Sequence, residues 1–578
     1  MRHRVIAALR GTVAAVASIA LVAPVPLSAQ AAASADAQPS VDLVNPLMGT
    51  DSDYTLSYGN TYPAVAVPWG MNFWTPVTGK PGSGWGYTYD GNKINGIKQT
   101  HQPSPWMNDY AAFALMATTG ALKVKADERA SWYSHKAEES RPYSYKVYLA
   151  DYDVTAEVAP TNRAAQFRFT FPESDDAHII LDGYAGGSMV SVDPVKRRIT
   201  GYVRNNHGGV PGNFHNYFVA EFDHAFTVSR TWDDNGQIAA TPVREGDHVG
   251  AVVSFKTRKG EQVGVKVASS FISLDQAERN LRGEIGGDGF KQTKAKAKAV
   301  WQREFDRIEV SDPDIDNRRT FYSALYRMLQ FPRMFHEVDA KGQTVHYSPY
   351  DGKVHPGFLY TDNGFWDTWR AVFPFFALMY PERDSEIMQG LVNTYKESGW
   401  LPEWASPGHR DVMIGSNSAN LIADAYLNGV RGFDVETLYE AMVKNATTSQ
   451  GRPVDKKGEV VGAVGREGVE YYNRLGYVPY DVGINENAAR SLEYATADFS
   501  ISRLASALGK TEDAKLYAAR AQNYRKLYDT QSGWMRGRNQ DGSWSTPSTR
   551  INGATRSPRA MRCITAGRLC RTCRGSPT

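Results

Sequence analysis

The stretch QVGVKVASSFISLDQAERNLRGEI, residues 262–285, joins two textures in one short run. Its first part alternates, with Val263, Val265 and Val267 separated by Gly264 and Lys266, which is the period of a strand with one buried face. From Leu274 onward that alternation stops and LDQAERNLRGEI reads as helix. An architecture of strands therefore gives way to one of helices near residue 274.

Upstream of this seam the same period recurs in DVTAEVA (Val154, Ala156, Val158) and QFRFTFP (Phe167, Phe169, Phe171), with turn formers between the runs. Residues 41–273 are thus expected to form an antiparallel β-sandwich, with loops such as GMNFWTPVTGKPGSGWGY free to carry function. Downstream, residues 274–311 include KQTKAKAKAVWQREFDRIEV, whose lysine-rich face predicts an exposed helical linker. Residues 312–547 then hold successive helical blocks, among them NRRTFYSALYRMLQFP, FWDTWRAVFPFFALMY, SEIMQGLVNTYKESG and TEDAKLYAARAQNYRKLYD. In the last of these Thr511 is expected to cap, Glu512 and Asp513 to sit in the first turn, and Ala514, Ala518, Ala521 and Tyr524 to share a face. No fixed-period solenoid repeat is present, so paired helices in a toroid or bundle are expected.

The chain of 578 residues exceeds what one hydrophobic core serves, and 42% hydrophobic with 22% charged residues fits a globular protein. The segment 1–31, with Arg2, Arg4 and Arg10 before an apolar run ending at Ala29-Gln30-Ala31, reads as a secretory signal cleaved after Ala31. Pro24 and Pro26 shorten that run below a bilayer span, so export to the periplasm or medium is expected, with no membrane span. The formal charge of +3 includes three arginines in this leader and seven after residue 547, neither segment carrying an acid; the middle is therefore −7. That excludes a basic nucleic-acid binder. All three cysteines lie at or beyond Cys563, so nothing upstream depends on a disulfide.

Acidic and aromatic residues cluster at block ends, in YTDNGFWDTWR (360–370), GWLPEWASPGHRDVMIGSNSAN (399–420) and YDVGINENAARSLEY (480–494). Flat apolar rings suit sugar CH faces, and carboxylates or guanidinium groups suit hydroxyls. Each residue also has a plainer role open to it. Trp366 and Trp369 stand three apart, so one of them is expected in the core. Asp367 and Arg370 have the spacing of a helix-surface ion pair, and Glu493 that of a solvated helix position.

The strings VNPLMGTDSDYTLSYGNTYPAVAVPWGM (44–71), THQPSPWMNDY (100–110), FWDTWRAVFP, GWLPEW, MIGSNSANLIADAY and SLEYATADF, in this order, resemble glycoside hydrolase family 92, the calcium-dependent exo-acting α-mannosidases. The resemblance covers residues 41–547. It implies a β-sandwich packed on an (α/α)6 catalytic domain, incomplete in this chain, with the pocket between them. It also implies α-mannose-containing glycans as substrate, calcium holding sugar hydroxyls, and an inverting mechanism in which two carboxyl groups stand roughly 6.5–9.5 Å apart. On the family pattern Trp366, Asp367 and Arg370 grip the terminal mannose. The loops around Trp69 and His101 close the pocket from the sandwich side, and Glu403 and Trp404 of GWLPEW add a carboxylate and an aromatic face.

The family's general acid should follow NQDGSWSTP, yet residues 548–578 contain no acidic and no aromatic residue. Permitted codons for this segment, read one base earlier, spell the family's acid-bearing TEGNA. Residues 548–578 are therefore expected to be an out-of-frame tail, lacking acid, base and most calcium ligands, and the chain as written to be inactive. Cys570 and Cys573 then make an accidental C-x-x-C rather than a metal or redox site. Two rivals stand beside this reading. One is a non-catalytic glycan-binding protein; the other is a different (α/α) enzyme, a phosphorylase or lyase, using Glu403, Asp411 or Glu486.

Overall fold

The computed structural model describes residues 38–52, 59–79, 84–449 and 464–545. The expected leader, 1–31, and the expected out-of-frame tail, 548–578, lie outside the described residues. From Pro39 onward the described chain is one compact unit.

Among the described residues two antiparallel sheets face each other. The seven-stranded sheet runs, in spatial order, Phe73–Val77, Gly96–Thr100, Phe113–Thr119, Ser174–Asp182, Val249–Thr257, Val228–Asp233 and Ile238–Ala239. The nine-stranded sheet has Glu261–Ser270 near its middle, between Asn216–Phe222 and Ala164–Phe171. The alternation read from the sequence is the burial pattern. Val263, Val265, Val267, Phe167, Phe169 and Phe171 all point into the core between the sheets, where they meet Phe113, Leu115 and Val253. Antiparallel sheets facing through such alternating strands form a sandwich.

Glu261–Ser270 ends the sandwich, and Ser273 caps the next helix, Leu274–Glu284, by accepting from the Gln276 N–H at 3.1 Å. This helix lays Ala277 and Leu281 on the outer face of the nine-stranded sheet, against Ala164, Val219 and Ala268. Phe290–Phe305 follows, and here the structure differs from an exposed linker. Its lysines do face outward, but Ala297, Trp301 and Phe305 are buried, and the Trp301 indole donates to the Ala66 carbonyl at 2.7 Å. A stripe of apolar residues on the other face of the lysines turns a spacer into a clamp.

Helices then dominate: Ile315–Met328, Val372–Met379, Pro381–Ser398, Ser418–Leu427, Val435–Thr447, Val469–Leu475, Asn487–Ala507 and Thr511–Arg520. Asn487–Ala507 packs against Ser418–Leu427, Val435–Thr447 and Thr511–Arg520, as in a toroid of paired helices. The apolar core of this half takes in Ala64, Val67, Trp69 and Phe73 from the N-terminal half, while Phe335 and Leu359 enter the sandwich core. The two halves therefore interlock.

Two local expectations change. In the helix Thr511–Arg520, Thr511 is the first helical residue and Lys510 the cap position, without a side-chain capping bond. Its buried line is centred on Tyr517, flanked by Ala514 and Ala521, because the large ring buries more apolar area than Ala518, which is exposed. The block FWDTWRAVFPFFALMY is also not one helix. It divides into Phe365–Thr368 and Val372–Met379, with Pro374 in the first turn of the second, where proline is tolerated.

Candidate active site

A two-residue ladder organises the site: Asn363–Gly364 pairs antiparallel with Trp404–Ala405, Gly364 standing opposite Trp404. Gly364 is required by crowding. A Cβ there would lie 2.2 Å from the Trp404 indole nitrogen and 2.6 Å from Asp367 Oδ2. The ladder feeds directly into Phe365–Thr368, whose Phe365 N–H donates to the Glu403 carbonyl at 3.2 Å. Two segments about forty residues apart in sequence are thus held side by side.

Behind the ladder lies a buried charge network. Asp362, at φ +58°, pairs with Arg333 Nε at 2.7 Å and accepts from Tyr110 Oη and Ser406 Oγ, both at 2.9 Å. Burial pushes its carboxyl up to about 6 despite the Arg333 guanidinium. Arg333 in turn donates to the Thr100 carbonyl at 2.9 Å. The backbone strain at Asp362 is held by contacts to both halves of the molecule, immediately before the site helix.

In front, side chains from three segments converge. The Trp366 indole N–H and the Arg370 Nη2 each donate to Glu493 Oε1 at 3.1 Å, and Arg370 Nη1 donates to the Trp366 carbonyl at 2.8 Å. The Arg370 guanidinium lies 5.1 Å from the Trp366 ring and 4.6 Å from Trp369. Asp367 is hydrogen-bonded to Trp404, and burial of its carboxyl raises it above the usual range against the pull of Arg370. Glu403 accepts from the Asn417 N–H at 2.7 Å and from Ser418 Oγ at 3.3 Å, at the start of Ser418–Leu427. Burial pushes Glu403 up to about 8, outweighing the Asn417 N–H and Arg466. Glu493 is also raised by burial, with Arg370 opposing.

The structure brings together Trp366, Asp367, Arg370, Glu403 and Trp404. It does not bring Trp69 or His101 to them. Trp69 is 3% exposed and packs edge-on against Phe376 and Tyr380 in the helical core. His101 is fully buried, its Nδ1 at 2.9 Å from the Tyr110 carbonyl and its Nε2 at 3.1 Å from Asn72 Oδ1, with burial holding it neutral, down to about 3. Neither offers a face to a sugar. Asp367 and Arg370 are not a surface helix pair, since Arg370 lies beyond the short helix and bonds to Glu493. Glu493 is not solvated either; it is 8% exposed. Its helix, Asn487–Ala507, is buried on several sides and leaves no clean stripe in the sequence. Asp362 was within reach of sequence reading, standing in the same YTDNGFWDTWR string.

Among the described residues no three histidine, cysteine or carboxylate side chains form a group able to hold a metal. Glu403 spends both oxygens on the Asn417 N–H and the Ser418 O–H, which suits a carboxyl group bonding within protein rather than binding a hard cation. The cluster can instead do what polar groups beside indole faces do: hold a polyhydroxylated ring.

Residues 43–270 match the glycosyl hydrolase family 92 N-terminal domain, and residues 276–561 match the glycosyl hydrolase family 92 catalytic domain. A family 92 inverting mannosidase of Bacteroides thetaiotaomicron superimposes with a TM-score of 0.84 at 45% identity, over 88% of this chain and 68% of its own. A second α-mannosidase of that organism, solved with mannoimidazole, gives a TM-score of 0.79 at 31% identity, over 90% and 68%. An uncharacterized secreted glycosidase of Arthroderma benhamiae is 24% identical over 82% of this chain. The chain spans 61% of that relative's length. No helix among the described residues is long and apolar enough to cross a membrane.

Proposed function

The chain belongs to glycosyl hydrolase family 92, and from that premise we propose that it descends from exported, exo-acting inverting α-mannosidases that remove terminal α-1,2-linked mannose from glycans. The observation that carries the reading is the convergence of Trp366, Asp367 and Arg370 with Glu403 and Trp404 around the Gly364 ladder. In this proposal the indoles take the apolar face of the sugar, while Asp367 and Arg370, the exposed polar members, take hydroxyls. Glu403, raised and buried, holds the Asn417 loop against the ladder. Calcium, expected for the family, meets no group of three carboxylate, histidine or cysteine side chains among the described residues, and no step is assigned to it.

Residues 548–578 supply no carboxylate. The chain as written is therefore proposed to bind mannosides without hydrolysing them, and its counterpart restored by one base near Pro547 to hydrolyse them with inversion. The test compares the two proteins on α-1,2-mannobiose, following the anomer released by NMR. β-Mannose from the restored protein alone is the expected result. Absence of turnover from both, with mannoside binding retained, would instead favour a non-catalytic glycan-binding protein.

A further inference from the structure

The Glu493 carboxylate is only half used. Oε1 receives both the Trp366 indole N–H and the Arg370 guanidinium, each at 3.1 Å, whereas Oε2 is buried and receives no hydrogen bond from the protein. Asn417 is a side-chain donor near enough to lower the Glu493 carboxyl, and its amide nitrogen also bonds to the Ile414 carbonyl at 3.2 Å, but it makes no hydrogen bond of ordinary length and angle to Oε2. Gly415 sits at φ +98°, and a Cβ there would lie 2.4 Å from Asn417 Nδ2 and 3.1 Å from Glu493 Cβ. A carboxylate oxygen without a donor in such a place costs free energy unless a ligand supplies one.

The surroundings point outward. The Arg370 side chain is 47% exposed while that of Glu493 is 10% exposed, so the carboxylate lies beneath a guanidinium that reaches the surface. We infer that Glu493 is a substrate-binding residue whose Oε2 accepts a hydrogen bond from one ring hydroxyl of the bound sugar, while its Oε1 positions Trp366 and Arg370 to grip that sugar. The inference rests on the mannoside-binding reading above and adds to it a residue, an atom and a polarity: an acceptor for a hydroxyl donor. It divides the work of one side chain between its two oxygens.

That division makes the roles separable. Glu493→Gln keeps an oxygen able to accept from Trp366 and Arg370, and puts an NH2 group where Oε2 was; the acceptor becomes a donor. The experiment is calorimetric titration of the full chain with methyl α-mannoside and its monodeoxy analogues, with thermal unfolding recorded for each variant. In the unaltered protein one deoxy analogue is expected to bind about tenfold more weakly than the parent, the loss of one hydrogen bond to a charged acceptor. In Glu493→Gln the parent is expected to weaken about tenfold, and that same analogue to lose nothing further, at an unchanged Tm. If Glu493→Gln binds the parent and every analogue as the unaltered chain does, Oε2 has no sugar to serve and the inference is overturned, while the functional reading stands. If the unaltered chain binds no mannoside, the functional reading itself falls and takes the inference with it.

Discussion

The carboxylates of the interdomain seam and those of the site differ in how completely they are used. At the seam, Asp109 takes Lys98 Nζ and Thr100 Oγ1 on one oxygen, both at 2.8 Å, and the backbone N–H groups of His101 and Tyr110 on the other, at 2.8 and 2.9 Å. Asp362 likewise has Ser406 on one oxygen and Tyr110 with Arg333 on the other. At the site, Glu493 has an empty oxygen, and both polar atoms of the buried Asn363 amide lack partners. A carboxylate with both oxygens engaged spends its hydrogen bonds on holding the fold, and one with an oxygen to spare keeps it in reserve for a ligand.

The largest effect should come from breaking the filled side. Arg333→Ala leaves Asp362 buried without its cation and should destabilise the protein by about 3–5 kcal/mol, read by chemical denaturation. A loss below about 1 kcal/mol would mean that the seam is not what holds the halves together. Next is the ladder itself. Gly364→Ala forces a methyl group into the Trp404 indole, and overpacking of this kind costs about 1–3 kcal/mol; the same change should weaken mannoside binding by displacing Trp404. Unaltered stability and affinity would show that the ladder yields.

On the open side, Asp367→Ala should weaken methyl α-mannoside binding about tenfold in calorimetry while lowering Tm only slightly, since the residue keeps an exposed edge and gives the fold its hydrogen bond to Trp404. A fall in Tm with no change in affinity would move Asp367 from the site to the scaffold.

Asp384 sharpens the comparison from a third direction. It is fully buried, neither oxygen has a partner, and burial together with Asp424 pushes it up to about 8. Unlike Glu493 it has a donor on neither oxygen, so it is a cost that no hydrogen bond offsets. Its folded pKa lies above its unfolded one. The stability tied to this carboxyl is therefore complete below about pH 4 and is lost as pH rises through about 8. Asp384→Asn does not titrate. Its Tm should match the unaltered chain near pH 4 and exceed it by ~1–3 °C at pH 9. Equal melting at both pH values would show that Asp384 is paired at neutral pH.

Much of the fold is legible in the sequence. Val263, Val265 and Val267 announce a half-buried strand because side chains in a strand alternate between faces, a property of the backbone that needs no neighbour to express it. The change at Leu274 is legible for the same reason. The packing of Phe290–Phe305 was not, because its lysines are conspicuous in the sequence while Ala297, Trp301 and Phe305 acquire a partner only once Ala66 is brought alongside. Trp69 and His101 failed as site residues on similar grounds. An indole or imidazole suits a sugar pocket and a core equally well, and only its surroundings choose.

The site divides along the same line. The sequence by itself determined the order of the two architectures and the local string that puts Trp366, Asp367 and Arg370 within one turn and a half, since backbone periodicity and short-range spacing are encoded residue by residue. Only the tertiary structure decided that Glu493, more than a hundred residues later, closes on Trp366 and Arg370 with one oxygen filled and the other empty. Burial and hydrogen-bond saturation are properties of which distant surfaces meet, and no spacing along one helix records them.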